Sequence, residues 1–455
     1  MIPLIYYSDQ FEFFGAFDIL LIIFWLAITL ILSFVFQSNN IANKPHYKYF
    51  IKNYLFKLVF SLLFSLYYIF IVHGGDTIAF YGASDVLTRL LFEDFSYYIN
   101  EWGTYASEDG YISHFTANTG FPPGWITREE EAYFVSKIFS IVNLFTGSSY
   151  MANTIIIAFI TSSASFKLYD FIVSFSIHDY KKLALYFLFI PSLSFWCTGV
   201  SKDALIFISI CYLVPTIYNL INGKAKLKVL NIILIVFFSW ILLNIRSFML
   251  ITIIIPFAFA FNVQFSKRLF ENKFIQFITR TLIILVGFGF LGFYFSGETA
   301  QKYLKEAEIT QQDFKTNKTY TGAKYDLGVV SYTPTGLLRA MPLSIITGIY
   351  RPFPWEALSL AFILNGIETL ILFYLTFIFI FRGGSKRIGR IRESDILTFS
   401  LYFVIIFAFM TGFTSVIFGV LVRLRAPLLP FFMMLLTVMP EEDKVEPEET
   451  QEAIA

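Results

Sequence analysis

The sequence predicts an all-α membrane protein with many spans, and three observations carry that prediction. Of its 455 residues, 56% are hydrophobic and 20% aromatic, and the mean hydropathy is +0.66, outside the range of soluble globular chains. The apolar residues come in blocks of about 20, the helix length that crosses roughly 30 Å of hydrocarbon. Lysine and arginine collect in every second connection between blocks, the pattern that sets membrane orientation. A formal charge of +1 supplies no concentrated basic face for nucleic acid, so the first partner is the lipid bilayer.

In chain order the blocks lie at 19–36, 54–72, 150–166, 183–197, 204–221, 229–245, 248–263, 276–295, 357–381, 396–415 and 418–439. This gives about eleven spans, with roughly nine to thirteen as bounds because several blocks are near the short limit. Segments 134–145 and 337–349 have the pattern of amphipathic helices lying in the interface. The basic connections carry Lys44, Lys48 and Lys52, then Lys181 and Lys182, then Lys224, Lys226 and Lys228, then Lys267, Arg268 and Lys273. The strongest holds Arg382, Lys386, Arg387, Arg390 and Arg392. They put these connections in the cytoplasm and the N-terminus outside. Residues 1–18 contain no Lys or Arg and lack the positive start of a cleavable signal, so this segment is expected to be retained. Cys197 and Cys211 fall in or beside different spans and read as packing residues.

The chain therefore reads as one transmembrane domain over 1–440 followed by an acidic, disordered cytoplasmic tail at 441–455. Two long segments, about 74–149 and 297–356, face outward, and their aromatic content predicts that they fold back on the membrane. No internal repeat is visible, which weighs against the inverted-repeat architecture of many transporters.

Charged residues within or beside the spans gather at that outer end: Asp76, Lys202, Asp203, Arg246, Arg351, Glu356, Arg423 and Arg425. Ionisable groups at a bilayer edge are costly and mark a reaction or binding site. Asp76 follows His73-Gly74-Gly75 directly after the second block, with Tyr81 and Asp85 next. A carboxylate there can serve as a general base on a sugar hydroxyl or bind a divalent cation, or it can simply cap the next helix. Lys202 and Asp203 sit in a turn after Trp196 and Ser201; they can hold phosphate, or Ser201 can cap a helix whose dipole Asp203 complements. Arg246 stands between two apolar runs with no room to be an ordinary surface charge, though it can snorkel to headgroups. In Arg351-Pro352-Phe353-Pro354-Trp355-Glu356 the prolines stiffen the backbone that presents Arg351 and Glu356. There Trp355 can stack on a sugar or anchor in the headgroups. Arg423 and Arg425, at i and i+2 before Pro427, would point the same way on an extended segment and grip a diphosphate.

The Gly75-Asp76…Tyr81 start, the Pro191-Ser192…Trp196…Lys202-Asp203 turn and the Arg423-Leu424-Arg425-Ala426-Pro427…Pro430-Phe431 close resemble bacterial polysaccharide polymerases and related C-type, lipid-linked glycosyltransferases. The resemblance spans roughly Gly74 to Phe431. It implies a polyprenyl-linked saccharide as donor, Asp76 as base, and Lys202, Arg246, Arg351, Arg423 and Arg425 against the lipid diphosphate. In that group the aspartate follows the first span from a cytoplasmic N-terminus; here it follows the second from an outer one. A flippase or transporter for the same saccharide needs the arginines without the base. A non-enzymatic envelope-assembly protein needs neither.

Overall fold

The computed structural model describes residues 11–103, 114–176, 179–222, 228–269, 323–328, 332–356, 360–381, 388–391 and 394–438, with scattered positions between 272 and 316. Its helices are α1 Ala16–Ile41, α2 Phe50–Phe70, α3 Asp76–Glu93, α4 Phe95–Gly103, α5 Glu130–Thr146, α6 Tyr150–Val173, α7 Tyr180–Phe187, α8 Pro191–Trp196, α9 Lys202–Ile221, α10 Val229–Arg246, α11 Phe248–Leu269, α12 Pro334–Tyr350, α13 Leu360–Phe381, α14 Asp395–Thr414, α15 Phe418–Arg425 and α16 Leu429–Thr437. Among the described residues the extended pairing is confined to an isolated bridge between Lys324 and Ile417.

Seven helical stretches among the described residues are long and apolar enough to cross a membrane: Ala16–Ile41, Pro45–Phe70, Tyr150–Val173, Lys202–Ile221, Val229–Arg246, Asp395–Thr414 and Phe418–Thr437. The sequence led to about eleven. Two of the missing four, 248–263 and 357–381, fall on α11 and α13, where the apolar stretches among the described side chains run Phe248–Asn262 and Asn365–Phe381. Block 276–295 lies almost wholly outside the described residues. Block 183–197 is not one helix but two, α7 and α8, separated at Leu188–Ile190. Pro191 explains the break: it holds Ile190 extended and cannot donate to the preceding turn.

The centre of the bundle is α2 packed on α6, with α9 against α6 and α10 against α9. One face of α2 is polar in a way hydropathy hides. Asn53, Lys57, Ser61 and Ser65, each four residues apart, are fully buried and form a single seam. Asn53 donates to the Ser162 carbonyl at 2.8 Å, Ser61 to that of Thr198 at 2.6 Å, and Ser65 shares a hydrogen bond with Thr154 at 2.8 Å. Lys57 donates to Ser194 Oγ at 2.8 Å and to the Leu188 carbonyl at 3.2 Å, supplying a charge to the carbonyl left open where α7 stops. From the other side Glu368 of α13 accepts from Ser192 N and Oγ at 3.2 and 2.6 Å. The broken span is thus held between a cation and an anion. Lys57 and Glu368 also correct the expectation that charge within the spans lies only at one end.

The segment read as an outer loop is largely helical. Helices α3 and α5 pack along each other, and thirteen residues of α3 are buried. Near one end of α5, Phe134 meets the Trp240 ring at 4.9 Å; near the other, Trp25 Nε1 donates to the Phe145 carbonyl at 3.1 Å. Trp240 lies about 9 Å from the Arg246 end of α10, and Trp25 about 14 Å from the Ala16 end of α1. Helix α5 therefore runs across the bundle rather than along it. At the far end of α2, Lys44 and His46 meet Asp170 at 2.8 and 2.6 Å and Lys48 meets Tyr180 at 3.2 Å. Two of the basic connections thus share the end of α2 opposite Asp76.

Helices α12 and α14 meet through small residues spaced four apart, Ser344 and Gly348 against Ala408 and Gly412, the close approach that stabilises helix pairs in lipid. A Cβ on Gly412 would stand 2.0 Å from the Ser344 carbonyl oxygen, and one on Gly348 2.2 Å from that of Ala408. Gly412→Val forces backbone apart. We expect it to destabilise the pair by about 1–3 kcal/mol, the usual range for overpacking, visible as a lower melting temperature of the purified protein in detergent. Unchanged melting would mean that the two helices do not pack this closely.

Candidate functional site

The site grows from three chain reversals at one end of the bundle. After α2 the backbone turns through His73, Gly74 and Gly75, with φ of 55°, 153° and 87°. Only the glycines take such values without strain, and a Cβ on Gly75 would stand 2.9 Å from the Tyr68 ring. This turn delivers Asp76 as the first residue of α3. The second reversal ends at Ser201, whose Oγ accepts from Ala204 N at 3.1 Å. The capping alternative is therefore what Ser201 does, and it sets Lys202 and Asp203 on the first turn of α9. The third is the junction of α10 and α11, where Ser247 alone separates Arg246 from Phe248.

Arg423, entering from α15, joins these pieces. Its Nη1 donates to Asp76 Oδ2 at 3.0 Å and its Nε to Asp203 Oδ2 at 3.1 Å. Arg246 Nη1 approaches the other oxygen of Asp203 at 3.7 Å, near enough for an ion pair but too far for a hydrogen bond. That nitrogen is buried and has no hydrogen-bond partner among the described residues. Lys202 points toward the start of α5, with Nζ 3.4 Å from Glu131 and 3.9 Å from Glu129. Asp203 is 2% exposed, whereas Asp76 is 49% exposed, so the network passes from the protein interior to an open edge. Tyr68 lies within electrostatic reach of Arg423, Asp76 and Asp203.

Burial opposes ionisation of Asp76, but the adjoining Arg423 guanidinium outweighs it and holds the carboxyl below its ordinary value of 3.8. With a folded value below the unfolded one, this pairing contributes fully at neutral pH. It is lost only as pH falls below 3.8 through the folded value. Glu129 moves the other way. Burial raises it from its ordinary 4.5; Lys202 partly offsets the rise, while Asp76 and Glu131 reinforce it.

The structure brings together Asp76, Lys202, Asp203, Arg246 and Arg423. The other expected residues stand apart. Tyr81 Oη donates to the Ser148 carbonyl at 2.6 Å, tying α3 to the α5–α6 turn. Asp85, more than two turns from Asp76, pairs with Arg89 at 2.7 Å. Arg351 and Glu356 bond to each other, Nε to Oε1 at 2.8 Å, and Glu356 also accepts from Phe353 N at 2.8 Å, closing its own loop. Trp355 is exposed and stacks on Phe353 at 5.0 Å.

Arg423 and Arg425 do not point the same way, because α15 is helical up to Arg425 and residues two apart on a helix diverge by about 200°. Pro427 sits in the first turn of the following 3-10 segment, where a missing N–H is tolerated, so it does not force the chain open. Arg425 is fully buried and donates to the Ile349 carbonyl at 3.1 Å, the Arg351 carbonyl at 2.7 Å and Thr369 Oγ1 at 3.0 Å. Glu129 and Glu131 were legible only as members of an acidic run. Their approach to Lys202 depends on α5 folding across the bundle.

The donor set does not suit a divalent cation at Asp76. Its nearest charged partner is a guanidinium, which also separates it from Asp203, and no three His, Cys, Asp or Glu side chains gather as ligands among the described residues. No family model, no curated protein and no solved structure matches this chain.

Proposed function

We propose that this chain is a membrane glycosyltransferase or polymerase. It takes its sugar from a polyprenyl-(di)phosphate-linked donor at the outer face of a bacterial cytoplasmic membrane, during surface polysaccharide assembly. The observation that carries this reading is Arg246. A buried guanidinium nitrogen without an acceptor is costly, and it stands beside Lys202 and Arg423 at the end of a membrane helix. A diphosphate supplies anionic oxygens to such a group while its lipid tail stays in the bilayer. Three cations around the leaving diphosphate stabilise the charge that develops as its bond to the sugar breaks, and they do so more strongly in a water-poor site than in bulk. Asp76 and Asp203 hold Arg423 in the orientation this requires.

The test is a profile of lipid-linked saccharides and finished polymer in cells carrying Arg246→Gln at matched membrane level. We expect lipid-linked units to accumulate and polymer to fall by about 10²-fold or more, the usual effect of losing one such donor. An unchanged profile would remove Arg246 from the site.

A second reading, transport of the lipid-linked saccharide, draws on the broken span. Discontinuous helices with charged partners are a device of transporters, and Lys57 and Glu368 flank the α7–α8 break. For that reading, liposomes holding the purified protein and a fluorescent polyprenyl diphosphate should move the probe between leaflets, and Lys57→Met should stop the movement. Movement without any glycosidic product would favour transport.

A further inference from the structure

We infer that Glu129, rather than Asp76, is the residue that takes the proton from the acceptor hydroxyl. This assignment rests on the transfer reaction proposed above. A general base must reach the substrate proton within hydrogen-bond distance, and a cation bound to its carboxylate lowers its basicity. Asp76 Oδ2 is already engaged by Arg423 at 3.0 Å, and an ionised carboxylate so paired is a weak base. Glu129 is placed differently. Its one ion-pair partner among the described residues is Lys202, 3.9 Å away, beyond hydrogen-bonding range. Its side chain is 59% exposed, so a hydroxyl arriving from the aqueous side can reach it.

The backbone beneath Glu129 is fixed. Glu129 N donates to the Ile126 carbonyl at 3.3 Å and its own carbonyl accepts from Tyr133 N at 2.9 Å, at the start of α5. The residues that follow, Ala132 and Tyr133, are buried. Lys202 is the neighbour of Asp203, the carboxylate against which Arg246 and Arg423 are ordered. Glu129 therefore faces the cation group across Lys202, the relation a base needs to an acceptor attacking a sugar whose diphosphate sits on the arginines.

The charged groups facing Glu129 are Lys202 from α9, Asp76 from α3 and Glu131 from α5. Partial desolvation, reinforced by Asp76 and Glu131 and offset in part by Lys202, raises its proton affinity, while that of Asp76 is lowered. Two carboxylates pushed apart in this way divide the labour between proton transfer and fixed charge. In the step itself the acceptor oxygen forms a bond to the anomeric carbon, and the bond from that carbon to the diphosphate oxygen breaks. The bonding electrons leave with the diphosphate, and the hydroxyl proton passes to Glu129.

The experiment uses membranes from cells that have accumulated their own lipid-linked saccharide. Polymer formation is followed against pH, and binding of undecaprenyl diphosphate to the purified full-length protein is measured alongside. Wild type is expected to show an acid limb above pH 4.5, the ordinary glutamate value, because the base must be deprotonated. Glu129→Gln should lose about 10²-fold or more in rate, as loss of a general base does, and should lose the acid limb while binding undecaprenyl diphosphate as wild type does. Glu129→Asp should keep the limb at a reduced rate, and Glu131→Gln should leave it in place. A Glu129→Gln protein with wild-type rate and acid limb overturns the assignment, as does loss of the limb in Glu131→Gln. A wild-type protein that binds undecaprenyl diphosphate but forms no polymer overturns the transfer reading itself, and the base with it.

Discussion

Arg423→Gln is expected to leave the protein in the membrane at near wild-type level and to lower polymer formation by about 10²- to 10³-fold, the scale set by removing one fixed donor from a developing oxyanion. The two halves of this expectation have separate causes. Arg423 is the only group that touches both Asp76 and Asp203 within 3.1 Å among the described residues, so its loss unfastens the network that orders the cations. The fold is less affected. Asp76 is half exposed and can be solvated, while the buried Asp203 keeps Arg246 at 3.7 Å and its place on the first turn of α9. Breaking a fully buried pair commonly costs about 3–5 kcal/mol, and these residual partners put Arg423→Gln below that range.

A double-mutant cycle makes the argument sharper. Asp76→Asn and Arg423→Gln should each lower activity, and together should lower it little further, because the second change removes a partner already without its mate. Strictly additive effects would show that the 3.0 Å pair is not a working unit. Arg423→Lys should recover only part of the activity, since an ammonium cannot divide its donors between two carboxylates as the guanidinium fork does.

The gathering of charge at one end of the spans was legible in the sequence because it rests on hydropathy and chain direction alone. Asp76, Lys202, Asp203 and Arg246 each end or begin an apolar block, and helix ends at one face of a bundle must be near one another. Three other features were not legible. Lys57 sits inside an apolar run, and its role as the donor to Leu188 depends on where Pro191 breaks a helix that α2 itself does not contain. Glu129 is more than fifty residues from Asp76 and reaches Lys202 only because α5 lies across the bundle. Arg351 and Glu356 were expected to face a ligand, but the shortest available partner for each was the other. Local spacing reports which residues share a helix face; it does not report which tertiary partner satisfies them.

Arg425 is the case in which the sequence and the structure lead to opposite experiments. Read as extended, residues 423 and 425 are twins and their variants should behave alike. On α15 they face different surroundings, so Arg425→Met is expected to reduce the amount of folded protein rather than its specific activity. The side chain is fully buried, and its donors satisfy the carbonyls of Ile349 and Arg351 and the hydroxyl of Thr369. Methionine fills much of the volume but donates nothing, leaving two backbone carbonyls without that partner. Each such group costs about 1–3 kcal/mol, and Glu368 loses the electrostatic attraction of the Arg425 guanidinium. A total of about 3–5 kcal/mol is a large part of the stability of most folded domains. Membrane level should therefore drop severalfold, the melting temperature of the remaining purified protein should fall, and activity per folded molecule should stay within about 3-fold of wild type, since Arg425 donates to none of the network residues. The Arg351–Glu356 loop should become more susceptible to proteolysis, because its anchor at the Arg351 carbonyl is gone. A protein made at full level with activity abolished would place Arg425 at the diphosphate after all, and with it the extended geometry that α15 does not show.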